Sequence, residues 1–366
     1  MNKFKSKLRD FLNKHSPKGI FLVTGKKSFD VINNDISFMR LLNDYNFIRF
    51  FDFEINPKIE DVKRGVEIFN NNSCDLIISL GGGSVMDMAK LINFYSKKTV
   101  SITNLNDDIK KDDLYPNIAI PTTAGSGSES THFAVVYSDN KKYSCANLNL
   151  IPNEIILEPH FLKSLSPYQL ACSGMDALSQ AIEAYWNVNS NTESDKLALK
   201  ALGLLWNNLA EIYNNKDNFK DVMLGSNLAG KAINITKTTA PHAVSYPFTT
   251  FFNIPHGHSV SLTLNYFLNY NYNLSEEDCN DTRGAKYVKN KIENLAKSLR
   301  FDDVKNFSDA LDNLLKNLNL CINLNKLNIS NRELIDHVIP NINYERVKNN
   351  PRKLNKENLI NFFNEN

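Results

Sequence analysis

Gly81-Gly82-Gly83-Ser84 sits between an apolar run, Leu76-Ile77-Ile78-Ser79-Leu80, and the sequence Val85-Met86-Asp87-Met88-Ala89-Lys90. The apolar run reads as a buried strand and Ser84 as the residue that opens a helix. Glycines at such a turn let the N–H groups of a helix start approach an anion with no side chains in the way, an arrangement suited to a pyrophosphate. A plain tight connection would use the same residues. A second loop, Thr122-Thr123-Ala124-Gly125-Ser126-Gly127-Ser128-Glu129, follows another apolar run, Ile118-Ala119-Ile120-Pro121. Its hydroxyls and glycines could wrap a ribose or phosphate, although composition alone favours an inert polar loop. Two such loops, each after a strand, point to a dinucleotide.

A second set of residues could hold a metal. Asp176 and Gln180 are four apart in a helical pattern and therefore face the same way. His242 and His256 bracket a segment, Ala243–Pro255, rich in aromatics and prolines. Each histidine alone is equally a hydrogen-bonded core or surface residue. In Pro255-His256-Gly257, the small neighbour leaves room around the imidazole.

The elements that must position these groups change in texture along the chain. Ile20–Thr24, Ile48–Phe53, Leu76–Leu80 and Ile118–Ile120 read as strands, and Ile59–Asn70 as a helix with Ile59, Val62, Val66 and Phe69 on one face. The alternation predicts a mainly parallel sheet covered by helices over residues 1–159. Beyond Pro159 the strand signal fades. Met175–Trp186, Lys196–Tyr213, Tyr287–Leu299 and Phe307–Leu318 have helical spacing, so residues 160–366 read as a helical domain.

Gly81–Lys90, Pro121–Glu129, Gly174-Met175-Asp176-Ala177-Leu178-Ser179-Gln180-Ala181-Ile182-Glu183 and Ile254-Pro255-His256-Gly257 together resemble, in order and spacing, the signatures of the iron-containing (group III) alcohol dehydrogenases. The resemblance implies a dehydroquinate synthase-like architecture, with cofactor and metal in a cleft between an α/β dinucleotide-binding domain and an all-helical domain. It also implies a divalent metal on Asp176, Gln180, His242 and His256. Gln180 stands where the family has histidine, and an amide oxygen is a weaker ligand than imidazole. A three-ligand site with Zn²⁺, a site with Fe²⁺ and Gln180 or water in the fourth place, and loss of the metal all remain open.

Cofactor contacts carried over from the family fall on Gly25, Gly82, Gly83, Ser84, Asp87, Thr122, Thr123, Ser126 and Lys142. Relatives often have an aspartate where this chain has Gly25; Gly25 removes its repulsion of a 2′-phosphate and either Lys26 or Lys27 could pair with one, so NADPH is admissible beside NADH, although the two lysines are equally read as a solvated turn. The resemblance places Asp176, His242, His256 and Tyr246 at the chemistry. Tyr246 replaces a family histidine and either relays a proton or packs.

Finer similarity, in His132–Tyr137, Glu183–Ser190 and Lys237–Pro247, is to the phosphonoacetaldehyde reductase branch. The implied reaction forms 2-hydroxyethylphosphonate, with His132, Lys237 and His258 as candidates for the phosphonate. A general short-chain aldehyde reductase or a polyol dehydrogenase is the alternative. From other classes, a dehydroquinate synthase-like lyase would need a denser set of cations around the metal, and a non-catalytic binding protein need not keep Asp176, His242 and His256 together.

Composition agrees with these expectations. Among 366 residues, 42 Lys and Arg face 40 Asp and Glu, so no global field points to nucleic acid or a membrane. No apolar run is long enough to span a bilayer, and Met1-Asn2-Lys3-Phe4-Lys5 lacks a signal-peptide core, so a cytoplasmic protein is expected. Five scattered cysteines without a Cys-x-x-Cys pair argue against disulfides or a cysteine zinc site. A small-molecule aldehyde or alcohol is the expected partner, and a homodimer the expected assembly.

Overall fold

The computed structural model describes residues 2–33, 36–105, 107–139, 141–214 and 217–365. The chain divides into two compact units, Met1–Ser164 and Leu165–Asn366. The first carries strands β1 (Ile20–Thr24), β2 (Phe47–Phe50), β3 (Leu76–Gly81), β4 (Asn117–Pro121), β5 (Phe133–Ser138), β6 (Lys141–Ala146) and β7 (Glu154–Ile155). Five of them form a wholly parallel sheet in the order β2-β1-β3-β4-β7, while β5 and β6 pair as a separate antiparallel hairpin.

The period of two along the strands builds two cores. Phe21 and Val23 of β1 and Ile77 of β3 face one cluster, closed by α4 (Ile59–Asn71) and α5 (Gly83–Tyr95) through Val62, Val66, Phe69, Met88 and Ile92. Ile20, Leu22, Ile78 and Leu80 face the other, closed by α1 (Asn2–His15) and by Phe29, Phe38 and Leu42 of α2 (Lys26–Asn33) and α3 (Ile36–Asn43). Helices on both faces leave the sheet open to a ligand only at strand ends. The carboxyl ends of β1, β3 and β4 lie side by side, with Thr24 opposite Leu80 and Gly81 opposite Pro121.

Several boundaries differ from those read in the sequence. β2 stops at Phe50, so Phe51 and Phe53 lie outside the ladder. α5 begins at Gly83 with Gly82 as its N-cap, one residue before the expected Ser84. The hairpin strand β6 escapes pattern reading because half-buried Lys142 and Tyr143 interrupt its alternation, and β7 because it is two residues long.

The second unit is helical throughout the described residues. Its main helices are α6 (Pro167–Trp186), α7 (Thr192–Tyr213), α8 (Phe219–Thr236), α9 (Ala240–Phe252), α10 (His256–Tyr272), α11 (Ala285–Ser298) and α12 (Val304–Asn317). α6 is buried along almost its whole length from Leu170 to Trp186. No helix among the described residues is long and apolar enough to cross a membrane.

Candidate functional site

The two glycine-bearing loops of the first unit meet at the carboxyl ends of β3 and β4. Thr122 N–H donates to Gly81 O at 3.0 Å. A Cβ built on Gly82 would lie 3.3 Å from Thr123, and one on Gly83 only 2.6 Å from Ser126 Oγ. The glycines are thus required partly by the loop opposite them. No side chain caps the start of α5, so its first N–H groups are left for an anion. This cradle fits a pyrophosphate. Ser84 Oγ accepts from the Asn56 N–H at 3.3 Å.

A buried lysine anchors the second loop. Lys90 Nζ donates to Ser128 O, Thr131 O and Phe133 O at 2.5, 2.8 and 2.8 Å, and to the Ser128 hydroxyl at 3.0 Å. Burial lowers its pKa to about 8 despite Asp87 and Glu129 nearby. Asp87, expected at the cofactor, is turned into the protein: Oδ1 accepts from Ser128 Oγ at 2.6 Å and Oδ2 from Val135 N–H at 3.0 Å. Burial pushes its carboxyl up, against the pull of Lys90, and Lys142 on β6 is near enough to act on it too. Asp87 is half-buried and ties α5 to the loop and to β5.

The second unit brings Asp176, His242 and His256 together, with one ligand atom from each within 4.8 Å of the others. His242 Nε2 lies 3.2 Å from Asp176 Oδ1, and His256 Nε2 3.9 Å from the same oxygen. A buried carboxylate between two imidazoles is a donor set for a divalent transition metal. The His256 side chain retains 37% exposure against 4% for His242, so the cluster is approached from the His256 side. Gln180 lies one turn beyond Asp176 and its Nε2 donates to Asp176 Oδ1 at 3.1 Å, so the amide borders the cluster.

Local sequence explains the arrangement. Gly257 sits in the first turn of α10, where a Cβ would fall 1.8 Å from Cys172 O and 3.0 Å from Asp176 Cβ. The glycine lets α10 press on the backbone of α6, which sets His256 over Asp176. α9 carries Pro247 inside it, and the Ala243 carbonyl freed by the missing N–H is taken up by Asn343 N–H at 3.4 Å. The helix therefore continues and places Tyr246 one turn after His242. The Tyr246 ring stacks on His256 with centroids 5.8 Å apart and planes at 18°.

Behind the cluster stands Glu183, a residue assigned no role in the sequence reading. Glu183 is fully buried and bonds His242 Nδ1 through Oε1, while Oε2 accepts from the Thr239 N–H at 2.7 Å and hydroxyl at 2.8 Å. Trp186 Nε1 donates to Thr239 Oγ1 at 3.0 Å. Burial disfavours charge on His242, but Glu183 and Asp176 outweigh it and lift its pKa to about 10. Burial likewise works against the Asp176 carboxylate, yet the His242 hydrogen bond and the nearby His256 hold its pKa below the ordinary value. The signal for Glu183 was spacing: Asp176, Gln180 and Glu183 fall at i, i+4 and i+7 on one face of α6.

Residues 4–159 match the profile of iron-containing alcohol dehydrogenases, and residues 170–366 match that of the Fe-containing alcohol dehydrogenase family, C-terminal. The chain belongs to the iron-containing alcohol dehydrogenase family. This family uses NAD(P)H and a divalent metal. Aldehyde-alcohol dehydrogenase 2 of Entamoeba histolytica is 33% identical over 251 residues, 63% of this chain, but the match covers only 28% of that protein. A phosphonoacetaldehyde reductase of Streptomyces viridochromogenes is 28% identical over 303 residues, 78% of this chain and 74% of that one. The crystal structure of sulfoacetaldehyde reductase from Bifidobacterium kashiwanohense with NAD+ superposes with a TM-score of 0.85 at 28% identity, covering 98% of this chain and 93% of that one.

Within this family member, the residues expected at an anionic substrate belong to both units, His132 to the first and Lys237 and His258 to the second. His258 is a strut, with Nδ1 2.9 Å from Tyr168 Oη and Nε2 2.7 Å from Cys321 O, so both ring nitrogens are engaged inside the second unit. The Lys237 carbonyl accepts from Asn187 Nδ2 at 3.1 Å. Lys237 is exposed and lies two residues before Thr239, whose N–H and hydroxyl bond the Glu183 carboxylate behind His242. It caps α8 with φ +65° and ψ −176°, a conformation few residues but glycine adopt. His132 is half-buried on the first unit, its ring against Phe133 with centroids 3.9 Å apart.

Proposed function

We propose that this chain interconverts a short aldehyde and its alcohol, with a divalent cation held by Asp176, His242 and His256 and a nicotinamide dinucleotide on the Gly81–Ser84 turn. The carrying observation is the three-residue cluster, because a carboxylate and two imidazoles brought together in a buried helical unit have no need of one another for packing. When bound, the cation supplies Lewis acidity toward a carbonyl oxygen and the dinucleotide supplies hydride. Glu183 fixes the His242 ring by holding Nδ1, so that Nε2 points to the cation. Asp176 contributes negative charge, and Gln180 borders it with a neutral amide. Tyr246 backs His256 through its ring, which restricts the imidazole to one orientation.

The substrate we propose is a two-carbon aldehyde with a tetrahedral anionic head group, phosphonoacetaldehyde in first place, reduced to 2-hydroxyethylphosphonate. Two relatives support this reading by the chemistry in their names, one a phosphonate and one a sulfonate on the same acetaldehyde frame. With both ring nitrogens of His258 engaged, His132 and Lys237 are the residues we keep as contacts for the head group. The test is catalytic efficiency of metal-loaded protein with NADPH and NADH against phosphonoacetaldehyde, glyceraldehyde, butanal and lactaldehyde. Efficiency on phosphonoacetaldehyde at least tenfold above the uncharged aldehydes supports the proposal; equal or greater efficiency on butanal assigns the chain to general short-chain aldehyde reduction.

A further inference from the structure

Arg49 lies near the end of β2, beside the carboxyl end of β1, and its guanidinium is clamped on both faces. Its central carbon lies 3.8 Å from the Phe29 ring centroid and 4.1 Å from that of Phe51. Nε donates to Thr24 Oγ1 at 2.9 Å, and Nη2 reaches Gly25 O at 3.4 Å. These contacts fix the plane and the inner edge of the group. Among the described residues Nη1 has no hydrogen-bond partner, and the side chain is half-buried.

The position of this group along the sheet gives it meaning. A Cβ built on Gly25 would sit 3.8 Å from Val85 on the first turn of α5, and Ser28 Oγ joins the Gly25 turn to Leu80 O at 3.2 Å. From the Gly82–Gly83 cradle the sheet edge therefore runs through Gly25 to Arg49 without a break. A dinucleotide with its pyrophosphate on α5 lays its adenosine half along that edge, outside the carboxyl ends of the strands. The charges around Arg49 are mixed. Lys26 and Lys27 are exposed beside the turn, Asp30 acts on Arg49, and Asp52 pairs loosely with Lys26 at 3.9 Å. Of these cations only Arg49 is held in one orientation.

We propose that Arg49 is the residue that recognises the 2′-phosphate of NADPH, its aromatic clamp presenting a planar fork suited to a phosphate. The inference rests on the dinucleotide reading of the Gly81–Ser84 turn and adds a preference for the phosphorylated cofactor. The test is calorimetric titration with NADP+ and with NAD+, which differ only in the 2′-phosphate, and it needs neither metal nor turnover. Wild type binds NADP+ at least tenfold more tightly, Arg49→Gln loses about ten- to a hundredfold of that affinity while NAD+ is unchanged, and Arg49→Lys falls between them. Equal loss of both ligands in Arg49→Lys, or no loss in Arg49→Gln, overturns the role of Arg49 while the cradle reading stands. Failure of wild type to bind either nucleotide overturns both.

Discussion

Glu183 grips His242 from behind: one carboxylate oxygen bonds His242 Nδ1 and the other takes both donors of Thr239. The bond fixes which imidazole nitrogen faces Asp176. Replacing Glu183 by Gln keeps the shape but removes the charge, and outer partners of this kind are worth about 10- to 100-fold in metal affinity. Competition with a chelator should show a loss in that range for Glu183→Gln, with the helical content of the protein unchanged. Wild-type affinity in the variant would show that Glu183 serves Thr239 and Trp186 alone.

Gly257→Ala should damage the same site through packing. Its Cβ would meet Cys172 O at 1.8 Å, a backbone atom in the middle of α6 that cannot step aside, so the first turn of α10 must shift. Overpacking of this kind costs about 1–3 kcal/mol, and the shift carries His256 away from Asp176. Thermal unfolding and metal titration should both report the change. An unaltered melting temperature would mean that α10 does not press on α6 as described.

Much of this site was legible because its residues sit at helical spacing or in short runs with one plausible local structure. The alternation of Ile20 and Leu22 against Phe21 and Val23 announces a strand buried on both faces, and the structure places the two pairs in separate cores. Other features depended on partners distant in sequence. The helix through Pro247 was not legible in the sequence, because Asn343, far along the chain, takes up the carbonyl that the proline leaves free and lets α9 run on. The bonds from Ser128 and Val135 to the two Asp87 oxygens likewise join residues more than forty positions apart. Arg49 belongs to no motif, and only the pairing of β1 with β2 brings it to Gly25.

Lys90 offers a test by pH. Burial lowers its pKa from 10.5 to about 8, so between those values the unfolded chain binds more protons at this position than the folded one. Stability from this group therefore rises as pH increases from about 8 toward 10.5. Lys90→Met removes that contribution and unfastens the Ser128–Phe133 carbonyls, at a cost of about 3–5 kcal/mol for breaking a buried charged network. Melting curves across this pH window should slope less steeply upward for the variant than for wild type. Parallel slopes would show that Lys90 keeps an ordinary pKa.

Gln180 borders the cluster through its bond to Asp176 Oδ1. An imidazole one turn beyond Asp176 is a stronger ligand than an amide, so Gln180→His should tighten binding of both Fe²⁺ and Zn²⁺, by direct titration. Unchanged affinity for both ions would place side chain 180 away from the metal.

The most direct measurement of the central claim is metal content and turnover of His256→Ala beside wild type, with nucleotide binding measured in parallel. His256 lies in the second unit and the Gly81–Ser84 cradle in the first, so the variant should lose its metal and its aldehyde reduction while still binding ADP. A variant that holds no metal yet keeps a tenth of wild-type activity would contradict the account.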